Sequence, residues 1–125
     1  DGLFGVYAGT GEEHLGTLVP LVCDELCKIR ETVTDDEVAR ARTQLKASIL
    51  MSLESTSSRC EQLARQLMIY GRPLPVDEIV GRIEAVDADT VMRVARRLTS
   101  SLPTLAALGP ISSLESFETL SRRLQ

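Results

Sequence analysis

"SSRCEQLARQLMIYGRPLP", residues 57–75, carries the information that organises this chain. Ser58-Arg59-Cys60-Glu61 has the form of a capping box, a serine followed three residues later by glutamate. Leu63, Leu67 and Tyr70, with Ala64 and Met68 beside them, then repeat at helical spacing. Gly71 suits the left-handed residue that ends a helix, and Pro73 forbids its continuation. The stretch is therefore predicted to be one amphipathic helix with a defined start and stop. Arg59, Gln62 and Gln66 fall on the side away from Leu63 and Leu67. Glu61 and Arg65 have the spacing and order of a favourable i,i+4 pair. Helical geometry makes this polar side either solvated or cavity-facing.

The same grammar extends in both directions. Thr10-Gly11-Glu12-Glu13 reads as a capping box opening a helix whose apolar stripe runs from Leu15 to Ile29, with Pro20 inside it. Thr34-Asp35-Asp36-Glu37 reads as another, opening a helix to about Leu53. Two shorter helices are expected over 76–86 and 87–98, and a last one on Leu114, Phe117, Leu120 and Leu124. "LFGVYAGT" (3–10) is short and β-rich, and "PTLAALGP" (103–110) is an apolar run between prolines. Both are expected to be strands. The predicted class is α+β: helix-rich, with about two strands from a larger sheet packed by helices. The order is β-α-α-α-α-α-β-α.

Composition narrows the function. The 125 residues carry a net charge of −4, which disfavours a nucleic-acid partner. No apolar run approaches the roughly 20 residues of a membrane span. The start has no basic region ahead of an apolar one, so no signal peptide is expected. Three cysteines, Cys23, Cys27 and Cys60, are an odd number for a disulfide scaffold and fit a reducing, intracellular compartment.

The candidate chemistry is sparse. Glu12/Glu13, Asp35/Asp36/Glu37, Asp77/Glu78 and Asp87/Asp89 fall in predicted first helical turns, where the macrodipole favours anions. Lys28/Arg30, Arg96/Arg97 and Arg122/Arg123 fall at helix ends, where it favours cations. Helix electrostatics thus accounts for both sets without catalysis. His14 is the only histidine, and no Ser-His-Asp or Cys-His set is in view. A zinc site of His14, Cys23 and Cys27 would require the first helix to bend onto itself, so the cysteines read as small core residues. Gly9-Thr10-Gly11 lacks the rest of a phosphate-loop pattern. No catalytic, cofactor-binding or metal-binding residue is expected.

"SLESTSSRCEQLARQLMIYGRPLP" (52–75) resembles the S-R-x-E-x-x-x-R-Q-x-x-x-x-G-R-P helix of the mitochondrial processing peptidase family, in the insulinase/pitrilysin group of zinc peptidases. "GLFGVYAGT" (2–10) is similar to that family's central strand, and "VTDDEVARARTQLKASILMSLES" (33–55) to its T-x-x-E-L-x-R-A-K-x-Q-L-K helix. "IEAVDADTVMRVARRL" (83–98) and "PTLAALGP" (103–110) are similar to its closing helix pair and last strand. The resemblance covers nearly the whole chain and implies that residues 1–125 are the C-terminal part of a non-catalytic domain.

In that family zinc is held in the N-terminal half by an inverted H-x-x-E-H motif and a distal glutamate. "EEHLG" (12–16) is not that motif. The family's Arg-x6-Tyr pair lies upstream of the first strand and has no counterpart here. The resemblance therefore implies zinc in the N-terminal half of a parent peptidase and none in this chain. It makes Arg59, Glu61, Arg65, Gln66 and Gly71 a structural signature in helix-to-helix polar contacts. It also implies a role as chamber wall and interface, with the N-terminal half of the same protein or a homologous subunit as partner and a peptide as the parent's substrate. The location implied is the mitochondrial matrix for a eukaryotic parent and the cytoplasm for a prokaryotic one. The isolated chain is expected to self-associate as a dimer through its strand edges, and Arg65→Ala is expected to cost more stability than Arg30→Ala. The alternatives are a non-catalytic subunit of processing-peptidase or respiratory-complex core type, or a helical interaction module unrelated to proteolysis.

Overall fold

A computed structural model describes residues 2–124. Among them are six helices: α1 (Glu12–Ile29), α2 (Asp35–Ser52), α3 (Thr56–Tyr70), α4 (Val76–Glu84), α5 (Ala88–Leu98) and α6 (Phe117–Arg123). There is no strand among the described residues, so the α+β expectation is corrected to an all-helical chain. The two segments read as strands are irregular, and among the described residues no backbone hydrogen bonds join them to each other or to anything else. Leu3, Tyr7 and Leu108 stand essentially fully exposed. β-propensity is a preference for a pleated, half-buried surface and has no effect without neighbours to pair and pack against. Two short segments alone cannot supply them.

The helix boundaries show which capping signals act. The Thr34 side chain accepts from the Glu37 N–H at 3.3 Å, and the Glu37 carboxylate accepts from the Thr34 N–H at 2.9 Å. This capping box starts α2 where expected. The other two boxes are misplaced. α1 is entered through Gly11 with no side-chain cap. α3 begins three residues before the predicted box, with Ser55 as N-cap accepting from Ser58 N–H. "ESTSS" offers several hydroxyls in succession, and the first that can reach an N–H two or three residues on sets the start.

The chain forms two compact units. The unit from Thr34 to Ala88 is built on α2 packed against α4. Val38 and Ile83 are its buried apolar residues. The other unit combines the described residues up to Val33 with those from Asp89 on. Its core is Cys23 of α1 with Leu120 and Leu124, and Val19, Leu26 and Cys27 pack around them. This register follows from the stripe on α1, since residues 19, 23, 26 and 27 lie on one helical face. Cys23 reads correctly as a core residue, whereas Cys60 is exposed; all three cysteines are free.

The α1–α6 contact is pinned by polar groups at its edge. The Arg30 guanidinium donates to the Leu124 carbonyl at 3.0 Å. The Cys27 thiol donates to the Arg123 carbonyl at 3.3 Å. Both satisfy carbonyls at the end of α6 that have no partner within the helix. Glu115 completes the arrangement with two hydrogen bonds from Arg123, at 2.9 and 2.8 Å.

Candidate functional site

The polar side of α3 and the turn after it, Gly71 to Pro75, form the candidate site. Gly71 has φ 69°, in the left-handed region. Its N–H donates to the Leu67 carbonyl at 3.0 Å, so the chain reverses direction as a glycine permits. Gln66 stabilises the reversal: its side-chain oxygen accepts from the Leu74 N–H at 2.8 Å. The predicted glycine stop is thus tied by one of the signature residues.

Beyond the turn, Arg72 grips Glu78 of α4 through two parallel hydrogen bonds of 2.8 Å. Arg82, one turn further along α4, donates to the same carboxylate at 2.7 Å, and its guanidinium lies 5.8 Å from the centre of the Tyr70 ring. Such bidentate, charge-assisted contacts are the strong class of hydrogen bond. Hydrogen bonding from Arg72, reinforced by Arg82, overcomes a smaller desolvation effect and holds the Glu78 carboxyl down to about 2. The Arg72 guanidinium is raised in turn by its bonds to Glu78.

α2 anchors the far end of α4. Arg42 donates to the carbonyls of Glu84 and Val86 at 2.9 and 3.1 Å, and Lys46 pairs with the Glu84 carboxylate at 2.7 Å. Hydrogen bonding from Lys46 lowers the Glu84 carboxyl. Both ends of α4 are thereby tied, one by the α3 turn and one by α2.

Arg59, Glu61 and Arg65 are exposed, and no ion pair joins Glu61 to Arg65 among the described residues. Of the five signature residues, Gln66 and Gly71 act together at the turn; the other three project into solvent. The opposite side of α3 is also uncovered. No α3 residue is buried, and Leu63 and Leu67 on that side are 46% and 48% exposed. Sequence reasoning missed Arg72, Glu78 and Arg82 as a cluster. The Glu78–Arg82 pair was legible as a favourable i,i+4 spacing, but Arg72 reaches Glu78 only because the glycine turns the chain back.

The chemistry available here is limited. A carboxylate held down to about 2 by two guanidiniums is a poor proton donor or acceptor near neutral pH. His14 is exposed, with Glu13 at 3.7 Å as its neighbour. Glu12 accepts a 2.6 Å hydrogen bond from Ser112, tying the start of α1 to the 99–116 connection. No group of three metal-ligating side chains occurs among the described residues.

Comparison with known proteins bears on this geometry. Residues 1–45 match the family model described as the peptidase M16 inactive domain. A probable mitochondrial-processing peptidase subunit beta of Arabidopsis thaliana is 42% identical over 98% of this chain and 23% of its own length. Mitochondrial-processing peptidase subunit beta of Mus musculus is 35% identical over 99% of this chain and 26% of its own. A zinc protease of Rickettsia felis is 32% identical over 87% of this chain and 26% of its own. The chain spans about a quarter of the length of these curated relatives.

Proposed function

We propose that this chain, which belongs to the M16 peptidase family as a C-terminal segment of the inactive-domain type, is a structural part of a longer processing-peptidase-like zinc metalloendopeptidase. The carrying observation is that similarity to the processing-peptidase beta subunits runs along 98–99% of the chain. Residues 1–125 act as one C-terminal domain portion whose ends, Asp1 and Gln125, lie outside the described residues. The role is chamber wall and interface. The uncovered apolar side of α3 supports it, since such surface marks contact sites. Arg59, Glu61 and Arg65 serve polar contacts in that assembly, and Gln66 and Gly71 hold the turn that presents them.

On this reading zinc resides in the N-terminal half of the parent, the substrate is an extended peptide of presequence type, and the partner is that half or a homologous subunit. The parent works in the mitochondrial matrix if eukaryotic and in the cytoplasm if prokaryotic. No helix among the described residues is long and apolar enough to cross a membrane. Produced alone, the chain self-associates as a dimer through exposed apolar surface.

Metal analysis after dialysis and a fluorogenic presequence-peptide assay test the reading, on the chain alone and mixed with the zinc-carrying half of its parent. The expected result is no stoichiometric zinc and no turnover alone, with turnover gained on mixing. Chelator-sensitive cleavage by the chain alone, or a zinc-carrying half whose turnover is indifferent to it, overturns the assignment.

A further inference from the structure

We propose that Arg93, Arg96 and Arg97 of α5 form a docking face for a short acidic segment of a partner protein. At i, i+3 and i+4 the three side chains share one side of the helix. All three residues are exposed, while Ala95 is buried on the opposite side. Among the described residues no hydrogen bond or ion pair engages their guanidiniums. By contrast, Lys46, Arg72, Arg82 and Arg123 each meet a carboxylate at 2.7 or 2.8 Å. The helix dipole accounts for Arg96 and Arg97, which stand in the last turn. It does not account for Arg93, one turn earlier, and like charges at these spacings repel each other. The helix thus holds three neighbouring cations whose repulsion an anion from outside relieves.

The rest of the surface sets the kind of partner. Val94 and Leu98, 44% and 42% exposed, border Arg93 and Arg97 on the helix. A free phosphate makes no use of them, whereas a peptide with interleaved acids and aliphatic side chains meets both. Protein interfaces combine apolar contact with complementary charge in this way. The chain as a whole is acidic, with net charge −4. An extended polyanion, such as a nucleic acid or an anionic membrane surface, runs past a patch on one helix and meets that opposing charge. A short segment ends where the patch ends. Its carboxylates accept from the guanidiniums, whose planar fork suits bidentate pairing.

Fluorescence anisotropy of a labelled peptide of Glu-Glu-Leu repeats, titrated with the 125-residue chain, tests the face. The expected result is saturable binding that weakens as salt is raised, and no binding of the matching Lys-Lys-Leu peptide. Arg93→Gln should weaken binding several-fold and the triple variant Arg93→Gln/Arg96→Gln/Arg97→Gln by roughly tenfold or more. Val94→Ser should weaken it as well, and Arg40→Gln, on α2, should leave it unchanged. All these positions are exposed, and helical circular dichroism confirms that each variant folds. No binding of the acidic peptide, equal binding by the triple variant, or equal loss in Arg40→Gln overturns the proposal. So does displacement of the peptide by inorganic phosphate or by phosphatidylserine vesicles at concentrations where the peptide itself binds, because the face then answers to anions in general.

Discussion

Arg72 and Glu78, six positions apart, face each other across the turn, joined by two hydrogen bonds of 2.8 Å. The carboxylate stands in the first turn of α4 and the guanidinium just beyond the end of α3. The contact therefore converts the connection between two helices into a clamp. Arg82 adds a second cation to the same carboxylate and stacks toward Tyr70, the last residue of α3. Tyr70, Arg82, Glu78 and Arg72 thus close a loop of contacts around the turn.

This clamp gives stability a defined pH dependence. Glu78 is held at about 2, below its ordinary 4.5. A carboxylate lowered in the folded state stabilises fully above its unfolded value, and that contribution is lost as pH falls through the folded one. The expected outcome is that the unmodified chain exceeds Glu78→Gln in urea midpoint by a constant amount above pH 4.5. The difference should shrink progressively as the pH falls below 4.5 and disappear only below about 2. A difference that is the same at pH 7 and pH 2.5 would show that the carboxylate charge contributes nothing.

Arg30→Ala should destabilise the chain more than Arg65→Ala, the reverse of the order expected from sequence. Arg30 donates to the Leu124 carbonyl in a part-buried setting, and loss of such a bond costs about 1 kcal/mol. Arg65 is exposed with no ion pair to Glu61, and such surface substitutions usually stay within about 0.5 kcal/mol. Urea unfolding of both variants checks the order.

Gly71→Ala should cost about 1 kcal/mol, because φ 69° places a Cβ against the backbone. Nothing lies within 4 Å of the added carbon, so the cost is local strain and not collision with a neighbour. Gly71→Asn, which tolerates the left-handed region better, should recover part of it. Equal midpoints for the alanine variant and the unmodified chain would contradict the turn geometry.

Ser121→Ala should stabilise the chain by about 1 kcal/mol. The Ser121 hydroxyl is buried in α6 with no hydrogen-bond partner among the described residues, and an unsatisfied buried hydroxyl carries a penalty of that order. Alanine removes the hydroxyl and is also the stronger helix former. A higher melting temperature with unchanged helicity is the expected reading.

The sequence by itself determined the helices. Their number, order and approximate extent follow from apolar spacing, from the Thr34–Glu37 box and from Gly71, because these signals act over three or four residues and need no distant partner. The positions of acids in first turns and bases in last turns were legible for the same reason. The resemblance carried by 52–75 also lay in the linear order of residues.

Tertiary structure alone decided the rest. Arg30 and Leu124 are 94 positions apart, and no local rule could join them. Arg72 becomes a clamp only after Gly71 reverses the chain. The two β-rich segments failed as strands for the converse reason: a helix satisfies its backbone internally, whereas a strand must find its hydrogen bonds on another segment. Neither 3–10 nor 104–108 finds that partner among the described residues.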